Sequence, residues 1–284
     1  MKFLITGSNG QLAKEILREL DKRGISFDAF DHKSLDITDL KSVRDAIRTK
    51  KPDVVINCAA YNAVDKAEED WQNAYLVNGI GPRNLAIACE ENNIALVHYS
   101  TDYVFDGLKN TPYTIADDPN PLNKYGKSKL LGERFVQSLS RRYFLIRVSW
   151  VFGKGNETNF AKKVIEWSSK NNVIRVVDDQ ISSPTYAVDL AKATLDLVKT
   201  GAYGLYHITS PQPCSRYEWA KYILDLIGWK GTLIPVKSDE FKTPAKRPGY
   251  SFMDSFPVME TIGYNLAEWK DETKRMIEEL KIDN

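Results

Sequence analysis

The chain has 284 residues, of which 43% are apolar and 27% are charged, which is enough to build a sizeable core and excludes a wholly disordered chain. With 39 basic and 38 acidic side chains the formal net charge is +1, so no overall basic field attracts nucleic acid or an anionic membrane. The three cysteines are far apart and indicate neither a disulfide framework nor a metal cluster. No apolar run approaches the roughly 20 residues of a membrane helix, and the first apolar run is too short for a signal peptide. We therefore expect a cytoplasmic protein that binds neither nucleic acid nor membrane.

In chain order, short apolar runs alternate with helical periods through the first 150 residues. We predict strands at 2–6, 27–30, 53–57, 95–99 and 144–148, and helices at 11–22, after a cap at Thr38 or Asp39, at 70–93 and at 123–139. The run at 53–57 is β-branched and apolar, which is typical of a strand buried on both faces. This alternation predicts βαβ units and a parallel sheet with right-handed crossovers.

A proline-rich loop, residues 106–121, interrupts the alternation of strands and helices, and the pattern becomes less regular after residue 150. Further helices are predicted near 159–170, 185–199, 216–227 and 266–280, and short strands near 173–177, 204–208 and 232–236. The length allows one large domain or two modest ones. The second half is therefore expected to form a smaller α/β domain, interleaved with the last elements of the sheet.

A glycine-rich turn, Gly7–Ala13, follows the first predicted strand and opens the first predicted helix. Glycine there allows a tight turn and lets backbone N–H groups approach a pyrophosphate at the helix N-terminus. An ordinary strand-to-helix turn is the alternative, but the βαβ context favours dinucleotide binding. We therefore predict an α/β fold with a Rossmann-type doubly wound parallel sheet. Residues 1–150 would form the NAD(P)-binding domain, with its last elements returning within 173–208, and 151–284 mainly the substrate-binding domain.

The residues after the second strand leave the choice of cofactor open. Asp31 ends that strand, where a carboxylate can accept hydrogen bonds from the adenosine ribose hydroxyls, which favours NADH. His32 and Lys33 follow at once and could pair with a 2′-phosphate, which favours NADPH. A solvated turn with no ligand is the alternative for all three side chains.

A candidate proton-transfer site lies in the second quarter of the chain. Tyr125 and Lys129 are four residues apart, so on a helix they share a face. A neighbouring ammonium is expected to lower the pKa of Tyr125 toward the working pH, so that it can donate a proton to a carbonyl. Many helices carry this pair by chance. Thr101, which follows the fourth strand at the sheet edge where such folds bind ligands, strengthens the interpretation.

Seven strings along nearly the whole chain resemble the extended short-chain dehydrogenase/reductases and, within them, the dTDP-4-dehydrorhamnose reductase family. They are GSNGQLA (7–13), CAAYNAVDKAEED (58–70), HYSTDYVFDG (98–107), PLNKYGKSKLLGE (121–133), IRVSWVFG (146–153), DDQISSPTYAVDLA (178–191) and AKRPGYSFMD (245–254). The chain departs from the family pattern at Ala13, where a third glycine is usual, and at Asn62, where threonine is frequent.

This resemblance implies reduction of the 4-keto group of dTDP-4-dehydro-β-L-rhamnose by NADPH or NADH. It implies a catalytic group of Thr101, Tyr125 and Lys129. The cofactor would contact Gly7, Asn9, Gly10, Gln11, Leu12, Asp31, Asp36, Ile37, Ala59, Ala60, Tyr61, Ser100, Tyr125 and Lys129, besides the candidates His32 and Lys33. The dTDP-sugar would contact Val64, Thr101, Tyr103, Tyr125, Trp150 and Arg247, the last because a guanidinium binds phosphate oxygens bidentately. Core packing of Trp150 and a surface ion pair of Arg247 are the structural alternatives.

Metal binding, oligomeric state and activity are less closely defined. Some relatives hold magnesium at a dimer interface, and Glu15 could correspond to one such ligand. No full ligand set is recognised, so magnesium stays an open alternative and no metal-binding residue is predicted. The chain is expected to be a monomer or a homodimer. A nucleotide-sugar epimerase or 4,6-dehydratase has the same fold, although a dehydratase carries an acidic pair after the threonine and here Tyr103 follows Asp102. The sequence is also compatible with a sister reductase for another deoxysugar and with a non-catalytic protein resembling the methionine adenosyltransferase regulatory subunit.

Overall fold

The computed structural model describes residues 1–155, 159–264 and 266–282. The strands are β1 (Phe3–Thr6), β2 (Phe27–Phe30), β3 (Val54–Asn57), β4 (Ala95–Thr101), β5 (Tyr143–Val148), β6 (Val151–Phe152), β7 (Val173–Val177), β8 (Ile181–Ser182), β9 (Thr185–Tyr186), β10 (Gly204–His207), β11 (Cys214–Ser215) and β12 (Thr232–Val236). The helices are α1 (Gln11–Lys22), α2 (Leu40–Lys50), α3 (Trp71–Tyr75), α4 (Gly81–Glu91), α5 (Lys124–Leu139), α6 (Phe160–Lys170), α7 (Ala187–Thr200), α8 (Arg216–Leu226), α9 (Val258–Ile262) and α10 (Trp269–Ile282).

Six strands form one parallel sheet in the order β2-β1-β3-β4-β5-β10. Every residue of β1, β3 and β4 is buried, as the unbroken apolar runs in the sequence predict for strands covered on both faces. The strand order reverses direction between β1 and β3, so the sheet is doubly wound. The predicted fold class, a Rossmann-type α/β protein, is confirmed.

Helices cover both faces of this sheet. On one face Ile16 of α1 and Leu190 of α7 pack in a common core with the strands. On the other face Val43 of α2, Leu85 of α4 and Val136 of α5 form a second core. None of the helices in the described residues combines the length and the apolar character that a bilayer crossing requires.

Residues beyond 150 contribute to the sheet and also build a separate lobe. Strand β10 extends the sheet beside β5, and α7 packs on its face against α1. The strand β7 pairs instead with β12, and two further strand pairs, β6 with β9 and β8 with β11, complete the lobe. Its core is aromatic, with Trp219 and Trp269 buried beside α6, α8 and α10.

The single long helix predicted over 70–93 is interrupted. A π-helical turn, Leu76–Ile80, joins α3 to α4. This turn brings the carbonyl oxygen of Asn78 so close to α5 that a Cβ at Gly132 would lie 2.2 Å from it. Periodicity in the sequence does not reveal such an insertion, because one extra residue shifts the apolar stripe by less than a turn. The π turn sets the distance between this helix and α5.

Candidate active site

An open cavity of about 1600 Å³ lies where the carboxyl ends of β1, β3 and β4 face the aromatic lobe. This is the position at which doubly wound sheets bind ligands, beside the point where the strand order reverses. Single ligand pockets usually measure about 300–1000 Å³, so this cavity has room for a dinucleotide and a second ligand together.

The glycine turn after β1 requires glycine at its first position. Gly7 has φ +65°, and a Cβ there would lie 2.6 Å from the backbone nitrogen of Ala59. The amide of Gly10 donates to the carbonyl of Gly7 at 2.9 Å, and α1 begins at the next residue. Gly10, Gln11 and Leu12 therefore line the cavity at the N-terminus of α1, where partial positive charge favours a phosphate.

Asp31 and Asn9 meet at the end of β2. Asn9 Nδ2 donates to Asp31 Oδ2 at 3.2 Å, and Asp31 Oδ1 accepts from the hydroxyl of Ser34 at 2.7 Å and from the amide of Lys33 at 3.1 Å. The Ser34 hydroxyl is the main cause that lowers the pKa of Asp31. The carboxylate is therefore ionised and fixed in direction, while the side chains of His32 and Lys33 are exposed.

The next two predicted cofactor residues behave differently from each other. Asp36 Oδ1 accepts from the amide and the hydroxyl of Thr38 at 2.9 and 2.8 Å, which stabilises the turn before α2. Ile37 is 4% exposed and belongs to the core beneath α4, where it touches Gly81. Neither residue lines the cavity, and the Ile37 side chain belongs to the core because the turn directs it under α4.

The segment after β3 forms the floor of the cavity. Ala59 and Ala60 line it, and their small side chains leave room close to the backbone. The side chain of Asn78 fixes the backbone of Tyr61. Its Oδ1 accepts from the Tyr61 amide at 2.8 Å and its Nδ2 donates to the Tyr61 carbonyl at 2.9 Å. The Tyr61 hydroxyl donates to Asp70 at 2.9 Å, so this side chain faces away from the cavity lining.

Thr101 ends β4 on the cavity wall. Its hydroxyl oxygen accepts from the Tyr103 amide at 3.1 Å and the hydroxyl contacts Asp102 Oδ1 at 3.1 Å. A Cβ at Gly126 would lie 2.2 Å from the Tyr103 carbonyl oxygen, so glycine is what lets α5 approach this segment. The close approach brings Tyr125 beside Thr101, with the Tyr103 and Tyr125 rings edge to face at 6.0 Å.

The expected lowering of the Tyr125 pKa is wrong for this structure. Burial raises the pKa of Tyr125, and a hydrogen bond with Thr101 only partly opposes the rise. Lys129 does lie one turn further along α5, but its Nζ donates to the Tyr99 carbonyl at 2.6 Å. Burial lowers the pKa of Lys129 to about 8. Tyr125 is therefore protonated at neutral pH, which suits a proton donor.

One buried polar atom beside these residues fits a bound nicotinamide dinucleotide. Ser100 is 3% exposed, and its hydroxyl has no hydrogen-bond partner in the part of the chain that the structure describes. It lines the cavity together with Lys129 and the turn before α1. Burying an unpaired hydroxyl is costly, so a ligand that bonds it would be favoured.

The predicted substrate residues other than Thr101 and Tyr125 also line the cavity. These are Val64, Tyr103, Trp150 and Arg247. Arg247 is not free, because its guanidinium donates to Asp65 in bidentate fashion at 3.0 and 2.7 Å. Burial raises the pKa of Tyr103, and the nearby guanidiniums of Arg216 and Arg247 oppose that rise.

Two residues that sequence reasoning did not place in the site lie at its centre. Asp102 is 2% exposed and accepts from Ser251 at 2.6 Å, and burial raises its pKa to about 6. Arg216 stacks on Trp150 at 3.6 Å and lines the same cavity. The adjacency of Asp102 to Thr101 was a usable signal. For Arg216, 66 residues after Trp150 in the chain, no local signal exists.

The magnesium ligand suggested by the resemblance has a different contact here. Glu15 pairs with Arg18 at 2.5 Å on the same helix. Among residues 1–155, 159–264 and 266–282, no three His, Cys, Asp or Glu side chains are grouped closely enough to hold a metal ion.

Comparison with known proteins identifies the family. The sequence profile described as the RmlD substrate binding domain matches residues 1–282. The spore coat polysaccharide biosynthesis protein SpsK of Bacillus subtilis is 36% identical over 98% of this chain and 97% of its own length. A dTDP-4-dehydrorhamnose reductase of Aggregatibacter actinomycetemcomitans is 37% identical, covering 97% of this chain and 98% of its own.

A solved structure supports the same assignment. The dTDP-4-dehydrorhamnose reductase of Bacillus anthracis, crystallised in complex with NADP, superposes with a TM-score of 0.94 at 39% identity, over 98% of this chain and 99% of that one. The family resemblance inferred from the seven sequence strings is thus confirmed. The chain belongs to the RmlD substrate-binding family, in which dTDP-4-dehydrorhamnose reductases are its relatives over nearly the whole length.

Proposed function

We propose that the protein is an NAD(P)H-dependent reductase that converts dTDP-4-dehydro-β-L-rhamnose to dTDP-L-rhamnose. The observation that carries this proposal is the meeting of Thr101, Tyr125 and Lys129 on one wall of a cavity large enough for two ligands. Relatives named as dTDP-4-dehydrorhamnose reductases support the choice of substrate.

Each of the three residues has a distinct role in this proposal. Bound NAD(P)H would supply a hydride to the C4 carbonyl carbon. Tyr125, which is protonated at neutral pH, donates its proton to the carbonyl oxygen. Thr101 positions that oxygen through its hydroxyl. Lys129 lies one helical turn from Tyr125 and is the candidate to hold the nicotinamide ribose.

The two ligands are assigned to the two sides of the cavity. The turn at Gly7–Leu12, the pair Ala59 and Ala60, and Ser100 are proposed to hold the dinucleotide. Asp31 is proposed to bind the adenosine ribose, which favours NADH, whereas the neighbouring Lys33 would favour NADPH. The dTDP-sugar is assigned to the side of Val64, Tyr103 and Trp150, which lies toward the second domain proposed from 151 onward.

A substrate panel with NADH and NADPH measured side by side tests this function. We expect oxidation of the reduced cofactor only when a dTDP-4-ketosugar is present, and a dTDP-6-deoxysugar as product by NMR. No oxidation of either cofactor with any ketosugar would contradict catalysis and favour a non-catalytic protein. Tightly retained NAD that does not exchange, with interconversion of sugar epimers, would favour an epimerase.

A sister reductase that acts on another dTDP-activated deoxysugar is the second candidate. The similarity to the Bacillus subtilis spore coat polysaccharide biosynthesis protein, 36% over nearly the whole chain, supports a role in the synthesis of another polysaccharide sugar. The stereochemistry at C4 and C5 of the product separates the two candidates, since the same catalytic residues serve either sugar.

A further inference from the structure

Arg216, the first residue of α8, lies in an aromatic box on the cavity wall. Its guanidinium carbon is 3.6 Å from the centre of the Trp150 ring, 4.7 Å from that of Phe160 and 5.8 Å from that of Trp219. Trp150 and Trp219 are themselves stacked at 6.0 Å. A guanidinium packed on a ring directs its N–H edge away from the ring; here part of that edge is hydrogen-bonded to Tyr103, and the remaining N–H groups are left for a ligand.

Arg216 has no carboxylate ion-pair partner among the residues that the structure describes, unlike other arginines of the cavity. Arg247 is bidentate with Asp65, and Arg175 pairs with Glu240. The carboxylate of Asp102 attracts Arg216, but its oxygens are engaged by three hydroxyl groups. These belong to Ser251 at 2.6 Å, Thr101 at 3.1 Å and Ser182 at 3.4 Å.

Trp150 is held in a conformation that few residues other than glycine adopt. Its φ is +44°, in the left-handed region. The preceding residue is anchored, because the buried hydroxyl of Ser149 donates to the Ser183 carbonyl at 2.5 Å. Strain of this kind persists where the surrounding structure enforces it, and here it aims the indole at Arg216.

A second guanidinium reinforces the positive charge at this place. Arg247 is close enough to Arg216 for the two cations to repel each other, and Tyr103 lies near both. Two guanidiniums that face one cavity, one of them without a carboxylate, are better accommodated when an anion lies between them. The anionic part of the proposed substrate is its diphosphate.

We propose that Arg216, supported by the ring of Trp150, binds the diphosphate of the nucleotide sugar. Arg247, already fixed by Asp65, has a positioning role beside it. The inference rests on the proposed function, since it takes a dTDP-sugar as the ligand. It assigns affinity for the diphosphate to a side chain that comes from the second half of the chain.

The test compares dTDP with thymidine, which lacks the phosphates. Calorimetry measures dTDP binding to the full-length protein, and competition against dTDP measures thymidine. In Arg216→Gln we expect the preference for dTDP over thymidine to fall by roughly 10- to 100-fold, the range for hydrogen bonds to charged groups. Arg216→Lys keeps the charge without the planar fork, so its preference for dTDP should lie between those of the unaltered protein and Arg216→Gln.

Arg175→Gln is the matched control, because Arg175 lines the same cavity and also stacks on an aromatic ring, Phe241 at 5.8 Å. It should leave the preference unchanged. Binding of NADPH and the melting temperature report whether Arg216→Gln is folded, and Arg216→Lys serves in its place if it is not. An unchanged preference in a folded Arg216 variant overturns this inference alone. Failure of the unaltered protein to bind dTDP overturns the proposed substrate and the inference with it.

Discussion

The two walls of the cavity are built in different ways. The wall proposed for the cofactor consists of strand ends and tight turns, where Gly10, Ala59 and Ser100 lie at or within a few residues of the ends of β1, β3 and β4. The wall proposed for the sugar nucleotide consists of large side chains, Trp150, Arg216 and Arg247, which come from three distant segments. The first wall is shaped by backbone and the second by side-chain packing.

This difference predicts how each wall responds to substitution. On the first wall a single added methyl group meets backbone atoms, which cannot move aside. On the second wall the named lining groups are large side chains, so we expect substitutions there to change charge and stacking more than shape. The same difference separates chemistry from recognition, because Thr101, Tyr125 and Lys129 all belong to the first wall.

The largest effect is expected when the phenol of Tyr125 is removed. Tyr125→Phe should reduce kcat by roughly 100- to 10,000-fold, since general acid catalysis is lost. Binding of NADPH, measured by fluorescence, should be retained. Tyr222→Phe, a tyrosine that packs on Trp269 in the other lobe, is the control and should keep its rate. A Tyr125→Phe rate near that of the unaltered enzyme would show that Tyr125 is not the proton donor.

The steric character of the first wall is tested by a pair of glycines. Gly7 and Gly24 both have left-handed backbone, with φ +65° and +63°, but a Cβ at Gly24 meets nothing within 4 Å. Gly24→Ala should cost about 1–2 kcal/mol of unfolding free energy from backbone strain alone. Gly7→Ala should cost about 3 kcal/mol or more, because the Cβ also meets Ala59. Urea denaturation measures both, and equal losses would contradict a close approach at Gly7.

Asp102 joins the first wall to the second half of the chain, since it contacts Thr101 on that wall and both Ser182 and Ser251. Burial raises its pKa to about 6, so folding favours the protonated form. Its contribution to stability is therefore complete below its ordinary pKa and is lost as pH rises through about 6. Between about pH 5 and pH 8 we expect the protein to lose about 1 kcal/mol that Asp102→Asn does not lose.

Chemical denaturation of both proteins at the two pH values measures this difference. The comparison within each protein cancels any constant effect of the substitution. A difference that is absent, or that has the opposite sign, would mean that Asp102 is ionised in the folded protein throughout this range. The first wall would then be joined to the second half of the chain by a charged rather than a neutral carboxyl group.

The smallest effect is expected at the ion pair of the second wall. Asp65→Asn removes the partner of Arg247, but the pair is partly exposed, with 41% and 21% of the two side chains accessible. We expect KM for the sugar nucleotide to rise about two- to fivefold and kcat to stay within about twofold, as for pairs worth less than about 1 kcal/mol. Steady-state kinetics measures this, with Asp178→Asn, which releases the exposed Lys237, as the control. A large loss of kcat would place Arg247 nearer the reacting atoms.

Most of the fold was predictable because its signals are local. Apolar runs predicted each of the six sheet strands, although the prediction for β4 ended at residue 99 and missed Ser100 and Thr101, and the caps and spacing predicted α1, α2 and α5. The two-residue strands of the lobe were not predicted, since each is too short to show a period. The π turn before α4 was not predicted either, because one extra residue shifts the apolar stripe by less than a turn.

In the candidate site, too, the features that could be predicted are the ones set by local sequence. The meeting of Thr101 with Tyr125 and Lys129 could be expected from a strand end and an i, i+4 spacing, which are properties of neighbouring residues. The sequence by itself thus determined the sheet, the glycine turn and the grouping of the three residues proposed for catalysis. Only the tertiary structure decided that Ile37 is core, that Arg247 is held by Asp65, that Arg216 stacks on Trp150 and that burial raises the pKa of Tyr125. Ion pairs, stacking and burial depend on which distant segments meet, and no local pattern carries that information.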